Sequence, residues 1–178
     1  MEFYEKTLNI ETIYKGRIFD LETHTVELPD GKIAARDIIR NPGAAVIVPL
    51  TDNGEVIMVE QFRKPCEKTF IEVPAGKLEA GEDPQVCAAR ELKEETGYSA
   101  EKLVKILTLN PAPAFADEVL HIYLATGLTK GEASPDEGEF IAVRAYPLSE
   151  ALNMIKEGKI TDSKTVASLL FTAQFCNK

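Results

Sequence analysis

One arginine and three glutamates within six positions, Arg90, Glu91, Glu94 and Glu95, carry the strongest chemical signal in this chain. Residues three and four apart are neighbours on a helix surface, so Glu91 stands beside both Glu94 and Glu95. Three carboxylates on one face repel unless a cation lies among them. Hard divalent cations take oxygen ligands, usually one or two carboxylates completed by water and phosphate oxygens. The pattern suits a metal platform for a phosphate ester or anhydride. Its bland alternative is a solvated acidic helix face.

The helix that must hold these groups is marked at both ends. Asp83 suits an N-cap, Pro84 the first helical position and Gly97 a left-handed stop, which predicts a helix over 84–96. Within it, Val86, Ala89 and Leu92 are expected to pack inward while Glu91, Glu94 and Glu95 face the opening. Upstream, residues 6–39 suggest antiparallel β structure turning at Pro29-Asp30-Gly31, and Asn41-Pro42-Gly43 marks a boundary. Ala44–Leu50 and Glu55–Gln61 suggest strands around Asp52-Asn53-Gly54. Further strands are expected at Thr69–Val73, Leu103–Leu109, Val119–Thr126 and Phe140–Tyr146. A helix capped by Ser149 and another starting at Asp162 complete the chain. This order predicts an α/β fold with a mixed sheet between helical layers.

Composition narrows the partners. A net charge of −9 over 178 residues argues against a nucleic-acid backbone, which needs a basic surface. No apolar run approaches the ~18 residues of a membrane span, and the N-terminus lacks an apolar leader. Cys66, Cys87 and Cys176 show no ligand-like pairing, which suggests reduced thiols in the cytoplasm. His24 and His121 likewise lack metal-ligand spacing.

Gly76, Glu82, Arg90, Glu91, Leu92, Glu94, Glu95 and Gly97 stand at the spacing of the Nudix box, with Tyr98 where an aliphatic residue is more usual. At about 7% usage for Gly and Glu, seven fixed positions coincide by chance on the order of 10⁻⁸ per start. The chain therefore resembles the Nudix hydrolases, and its layout is similar to their ADP-ribose pyrophosphatases. The resemblance implies a Nudix-type α/β/α sandwich over 41–178, preceded by a small antiparallel β segment over 1–40 that serves a homodimer. It implies Mg²⁺-dependent hydrolysis of ADP-ribose to AMP and ribose 5-phosphate, with Mn²⁺ as a substitute ion. Two alternatives stay open: another nucleoside diphosphate sugar or a dinucleoside polyphosphate as substrate, and a non-catalytic, nucleotide-sensing Nudix domain.

The resemblance also distributes roles. Glu91, Glu94, Glu95 and the carbonyl of Ala75 match the metal ligands, and Arg90 matches the arginine that holds the box carboxylates. Gly76, Glu82 and Gly97 support the loop-helix-loop. The acidic loop Pro135–Phe140 implies Glu137 as general base, with Glu139 reaching a metal or replacing it; a box glutamate is the remaining alternative. Asn110–Glu118 resembles the loop Ser-Pro-Gly-Phe-x-Asp-Glu, which brings Pro113, Phe115 and Glu118 to the substrate, although Ala112 and Ala114 depart from the pattern. Arg63 matches a diphosphate contact, Arg36 a residue near the adenine, and Glu72 and Arg17 further contacts.

Overall fold

The Leu28 to Lys32 turn is closed by Gly31 N–H donating to the Leu28 carbonyl at 2.8 Å, with Gly31 at φ 81°. It joins two strands of a three-stranded antiparallel sheet made of β1 (Lys6–Lys15), β2 (Asp20–Glu27) and β3 (Ile33–Arg40), in that order. The structure, a computed structural model, describes residues 3–135 and 138–176. The chain divides into two compact units. The first runs to Gly43 and also takes in Asn110–Val119; the second holds Ala44–Leu109 and the chain from Leu120 onward.

In the first unit, Asn110–Val119 is stitched to β3. The Ile39 N–H donates to the Phe115 carbonyl at 2.7 Å, and Asp117 accepts from the Asn41 N–H at 2.9 Å and from Arg40 at 2.9 Å. Strand β1 is exposed throughout, including Leu8, Ile10, Ile13 and Tyr14.

The second unit is built on β4 (Ala44–Pro49), within the Ala44–Leu50 stretch expected to form a strand. Its next elements are β5 (Glu55–Arg63), β6 (Lys68–Glu72), β7 (Ala75–Lys77), α1 (Pro84–Thr96), β8 (Tyr98–Leu109) and β9 (Leu120–Lys130). They are followed by β10 (Ile141–Pro147), α2 (Leu148–Lys156) and α3 (Ser163–Phe171), which continues as a π-turn over Thr172–Cys176. One sheet has the order β7-β4-β9-β8 and is mixed, because β4 and β9 run parallel while β7 and β8 are antiparallel to their neighbours. A second sheet, β10-β5-β6, is antiparallel.

Side chains alternate between the two faces of a strand, so an apolar run buried on both sides must be covered twice. Ala45 and Ile47 pack with Cys87, Ala88 and Leu92 of α1. Val46 and Val48 face the other way, against Val56 and Met58 of β5, Leu148, Ala151 and Met154 of α2, and Leu169 of α3. The result is the expected α/β/α sandwich. No helix of the described residues is long and apolar enough to cross a membrane.

Several details differ from the sequence expectations, among them the start of β8 at Tyr98 rather than Leu103. On α1, Val86 and Ala89 are exposed and the buried residues are Cys87, Ala88, Leu92, Glu95 and Thr96. The helix turns its polar Glu95 toward the sheet together with its small residues. Ser149 does not cap α2, which starts one residue earlier behind Pro147. The three-residue β7 was not anticipated, because pairing with β4 makes it a strand rather than its own composition.

Candidate active site

Asp83 and Gly97 frame α1 as the sequence suggests. The Asp83 carboxylate accepts from the N–H of Gln85 at 2.8 Å, satisfying one of the orphan donors at the helix start. Gly97 takes φ 77° and returns its N–H to the Lys93 carbonyl. Gly97 also serves a contact: a Cβ there would fall 2.8 Å from the Ala133 nitrogen. The segment after β9 is tied to the helix end at this point, with Gly131 N–H on the Gly97 carbonyl at 2.8 Å and Ser134 N–H on the Glu94 carbonyl at 3.0 Å.

Arg90 is the hub of the box. Its Nε and Nη2 grip the two oxygens of Glu82 at 3.0 Å each, and its Nη1 donates to Glu91 Oε1 at 2.6 Å and Glu94 Oε2 at 3.0 Å. Its Nη2 also reaches the Lys77 carbonyl at 3.3 Å. The guanidinium draws the Glu82 carboxyl down to about 2. One arginine thus binds the loop before the helix to two carboxylates on it, which exceeds an exposed Arg90–Glu94 pair.

Glu91 and Glu95 sit deeper. Glu95 is 5% exposed, and its Oε2 accepts from the Ala75 N–H at 3.1 Å. Burial, reinforced by the charges of Glu91 and Glu139, pushes its carboxyl up to about 8. Burial also raises Glu91, against the pull of Arg90 and with repulsion from Glu94 and Glu139. Gly76 makes the space for Glu91: a Cβ there would fall 1.8 Å from the Glu91 carboxyl carbon. Among the described residues no three carboxylates, thiols or imidazoles already converge as a finished metal cage. What is present is a set of hard oxygen donors, with Glu95 buried, Glu91 half-buried and repelling it, and Gly76 making room for Glu91. That chemistry fits a hard divalent cation.

Glu139 is exposed, yet its charge is felt at both Glu91 and Glu95. Glu137 lies outside the described residues. Cys87 is buried on the sheet side of α1, and burial lifts its thiol to about 12, which leaves it an inert packing residue.

The substrate candidates fall into two groups, one in each unit. In the second unit Arg63 and Glu72 line a cavity of about 590 Å³ with Phe70, Asp162 and Lys164. Glu72 accepts a two-pronged pair from Arg63 Nε and Nη2, both at 2.8 Å. Glu72 holds the Arg63 guanidinium more firmly charged, and Glu95 adds to that effect. In the first unit Arg36, Pro113 and Phe115 line a cavity of about 380 Å³, where Arg36 pairs with Glu5 at 2.6 Å. Arg17 and Glu118 are not among its lining residues. Arg17 is exposed between β1 and β2, and the Glu118 carbonyl accepts from Asn110 Nδ2 at 3.2 Å.

Sequence reasoning missed Lys164. It donates to Glu72 Oε2 and to Asp162 Oδ2, the latter at 3.0 Å. Its only local signal was its place in the first turn after the Asp162 cap.

The NUDIX domain family matches residues 40–169, and the family of the nucleoside diphosphate sugar hydrolase N-terminal domain matches residues 5–42. The chain is 48% identical to the methanol dehydrogenase activator of Bacillus methanolicus, over 95% of this chain and 92% of that one. It is 46% identical to the ADP-ribose pyrophosphatase of Bacillus subtilis strain 168, over 94% and 91%. The fold matches the crystal structure of an ADP compounds hydrolase with a TM-score of 0.85 at 24% identity, covering 96% of this chain and 93% of that one.

Proposed function

The chain belongs to the Nudix family of pyrophosphohydrolases, and on that premise we propose that it cleaves the diphosphate of ADP-ribose into AMP and ribose 5-phosphate. The observation that carries the hydrolytic reading is the half-buried Glu91 carboxylate in the space left by Gly76, beside the buried Glu95 that it repels, with Arg90 holding Glu91. Similarity to the Bacillus subtilis ADP-ribose pyrophosphatase supports the substrate.

Nudix hydrolases generally use a divalent metal. We assign Mg²⁺, with Mn²⁺ as substitute, to Glu91, Glu94, Glu95 and the Ala75 carbonyl. When bound, such an ion neutralises phosphate charge and lowers the pKa of a bound water. The chain's own groups do the rest. Arg90, fixed by Glu82, orients Glu91 and Glu94. Glu137, with Glu139 as its partner or replacement, takes the proton of the attacking water. Arg63 pairs with diphosphate oxygens, for which its planar donors are suited. Arg36, Pro113, Phe115, Glu118 and Arg17 serve the adenosine end, and Glu72 holds Arg63. The exposed apolar residues of β1 support a homodimer built on residues 1–40. Net charge −9 supports a small-molecule substrate rather than nucleic acid, and free thiols support a cytoplasmic enzyme.

The test is kcat/KM for ADP-ribose, ADP-glucose, GDP-mannose and diadenosine polyphosphates with Mg²⁺ and with Mn²⁺, following AMP release where AMP is a product. ADP-ribose is expected to lead. A site shaped for one base and one terminal ribose leaves polar groups unpaired with any other ligand. Another nucleotide sugar ahead by tenfold or more would overturn the substrate. The identity to the methanol dehydrogenase activator favours a second reading, in which this hydrolase modulates a dehydrogenase. A methanol dehydrogenase whose rate is indifferent to the added chain would dismiss it.

A further inference from the structure

Glu72 is a buried carboxylate shared by two cations from distant parts of the chain. Its side chain is 3% exposed, and Arg63 takes it with Nε and Nη2 at 2.8 Å each. Lys164, 92 residues away and 16% exposed, donates to the same Oε2 that Arg63 Nη2 uses. The lysine is itself held in place. Its second acceptor, Asp162 Oδ2, caps α3 through the Thr165 N–H at 2.9 Å and takes the Thr165 hydroxyl at 2.6 Å. That hydroxyl in turn accepts the Val73 N–H at 3.0 Å, so the start of α3 is pinned to the residue next to Glu72. Asp162 spends its charge on the helix N-terminus and these donors, which leaves Lys164 to compensate Glu72.

A buried carboxylate with one cationic partner keeps that partner, because separating them strands a charge in a poor solvent. With Arg63 alone, a diphosphate would have to compete with Glu72 for the same guanidinium. With Lys164 also on Oε2, the three groups carry one net positive charge, and Arg63 retains attraction for an outside anion. We propose that Lys164 is a positioning residue that compensates Glu72 and thereby frees Arg63 to bind the diphosphate of the substrate. This rests on the reading of Arg63 as a diphosphate contact.

Lys164→Gln keeps a hydrogen-bond donor for Glu72 but removes the charge, and Lys164→Arg restores the charge. With ADP-ribose and Mg²⁺, Lys164→Gln is expected to raise KM on the order of tenfold while kcat stays within about twofold, as for coupled neighbouring charges. Lys164→Arg should recover most of the loss. Arg63→Met alone should also raise KM, and adding Lys164→Gln to it should change KM no further. A purely structural lysine would lower the melting temperature and active fraction without this KM-specific, Arg63-dependent pattern. Wild-type KM in Lys164→Gln, with KM raised in Arg63→Met, overturns the proposal and leaves the diphosphate reading standing. An equal KM increase from Lys164→Gln with and without Arg63 also overturns it, since Lys164 would then touch the substrate directly. Wild-type KM in Arg63→Met overturns the diphosphate reading and the proposal together. Should Lys164→Gln not fold, Lys164→Met in the same cycle gives the same readout.

Discussion

Gly76→Ala should disable the site through a single methyl group. Gly76 does not adopt a left-handed backbone, so the glycine is required by space alone. The new Cβ would fall 1.8 Å from the Glu91 carboxyl carbon and 1.9 Å from its Oε1, and ordinary van der Waals contact begins at 3.4 Å. The carboxylate must therefore retreat by about 1.6 Å, about three quarters of a metal–oxygen bond of about 2.1 Å. It also gives up its 2.6 Å contact with Arg90. Arg90 keeps Glu82 and Glu94, and the displaced carboxylate moves toward water, so the fold should survive with stability changed by about 1 kcal/mol or less. A misplacement of this size at a reacting centre costs on the order of 10²-fold in rate. The assay is a double-mutant cycle of Gly76→Ala and Glu91→Ala, read by turnover, by calorimetric titration with Mg²⁺ and by thermal unfolding. Gly76→Ala should lose activity and metal affinity in the wild-type background, yet have almost no further effect once Glu91 is truncated. Retention of turnover within a few-fold, or equal effects on metal affinity and melting in both backgrounds, would refute the steric argument.

Glu95→Gln should lower kcat by orders of magnitude with little change in melting temperature, and chelation should abolish wild-type hydrolysis until Mg²⁺ is restored. Near-normal activity of this variant in chelator would remove the metal platform. Thr165→Val leaves the Val73 N–H without its hydroxyl acceptor inside the core and should cost about 1–3 kcal/mol, measured by urea unfolding, whereas Thr165→Ser should cost little. At Glu72, burial pushes the carboxyl up, but Arg63 and Lys164 prevail and hold it below its ordinary 4.5. Its contribution to stability is therefore complete above pH 4.5 and lost as pH falls below that value. Glu72→Gln should cost about 3 kcal/mol at neutral pH, the low end for a broken buried pair because Arg63 is 39% exposed, and the gap should close on acidification. A gap constant from pH 7 to 3 would contradict the assignment. Light scattering at micromolar concentration should give twice the 19.6 kDa chain mass, and an active monomer would end the proposal that residues 1–40 pair two copies.

What could be read from the sequence was whatever local periodicity encodes. Helix geometry places Glu91 beside Glu94 and Glu95 wherever the helix lies, and Asp83, Pro84 and Gly97 mark its ends through their own backbone chemistry. Ala44–Leu50 suggested a strand, and the order of strands and helices implied a mixed sheet between helical layers. Periodicity could not say which side of α1 would meet the sheet: Val86 is apolar and exposed, while Glu95 is polar and buried. That choice is made by contact with β4, where small residues let the helix approach and the Ala75 N–H gives the carboxylate a partner. The same limit hid Lys164 and Thr165. Each meets a partner 92 residues away, and nothing in the neighbourhood of either residue records the encounter. Residue types and short spacings thus carried the chemistry of the box. Only the folded chain decided that Glu95 and Glu72 are buried, that Gly76 makes room for Glu91, and that Glu72 holds Arg63, because burial and pairing arise between segments that the sequence keeps apart.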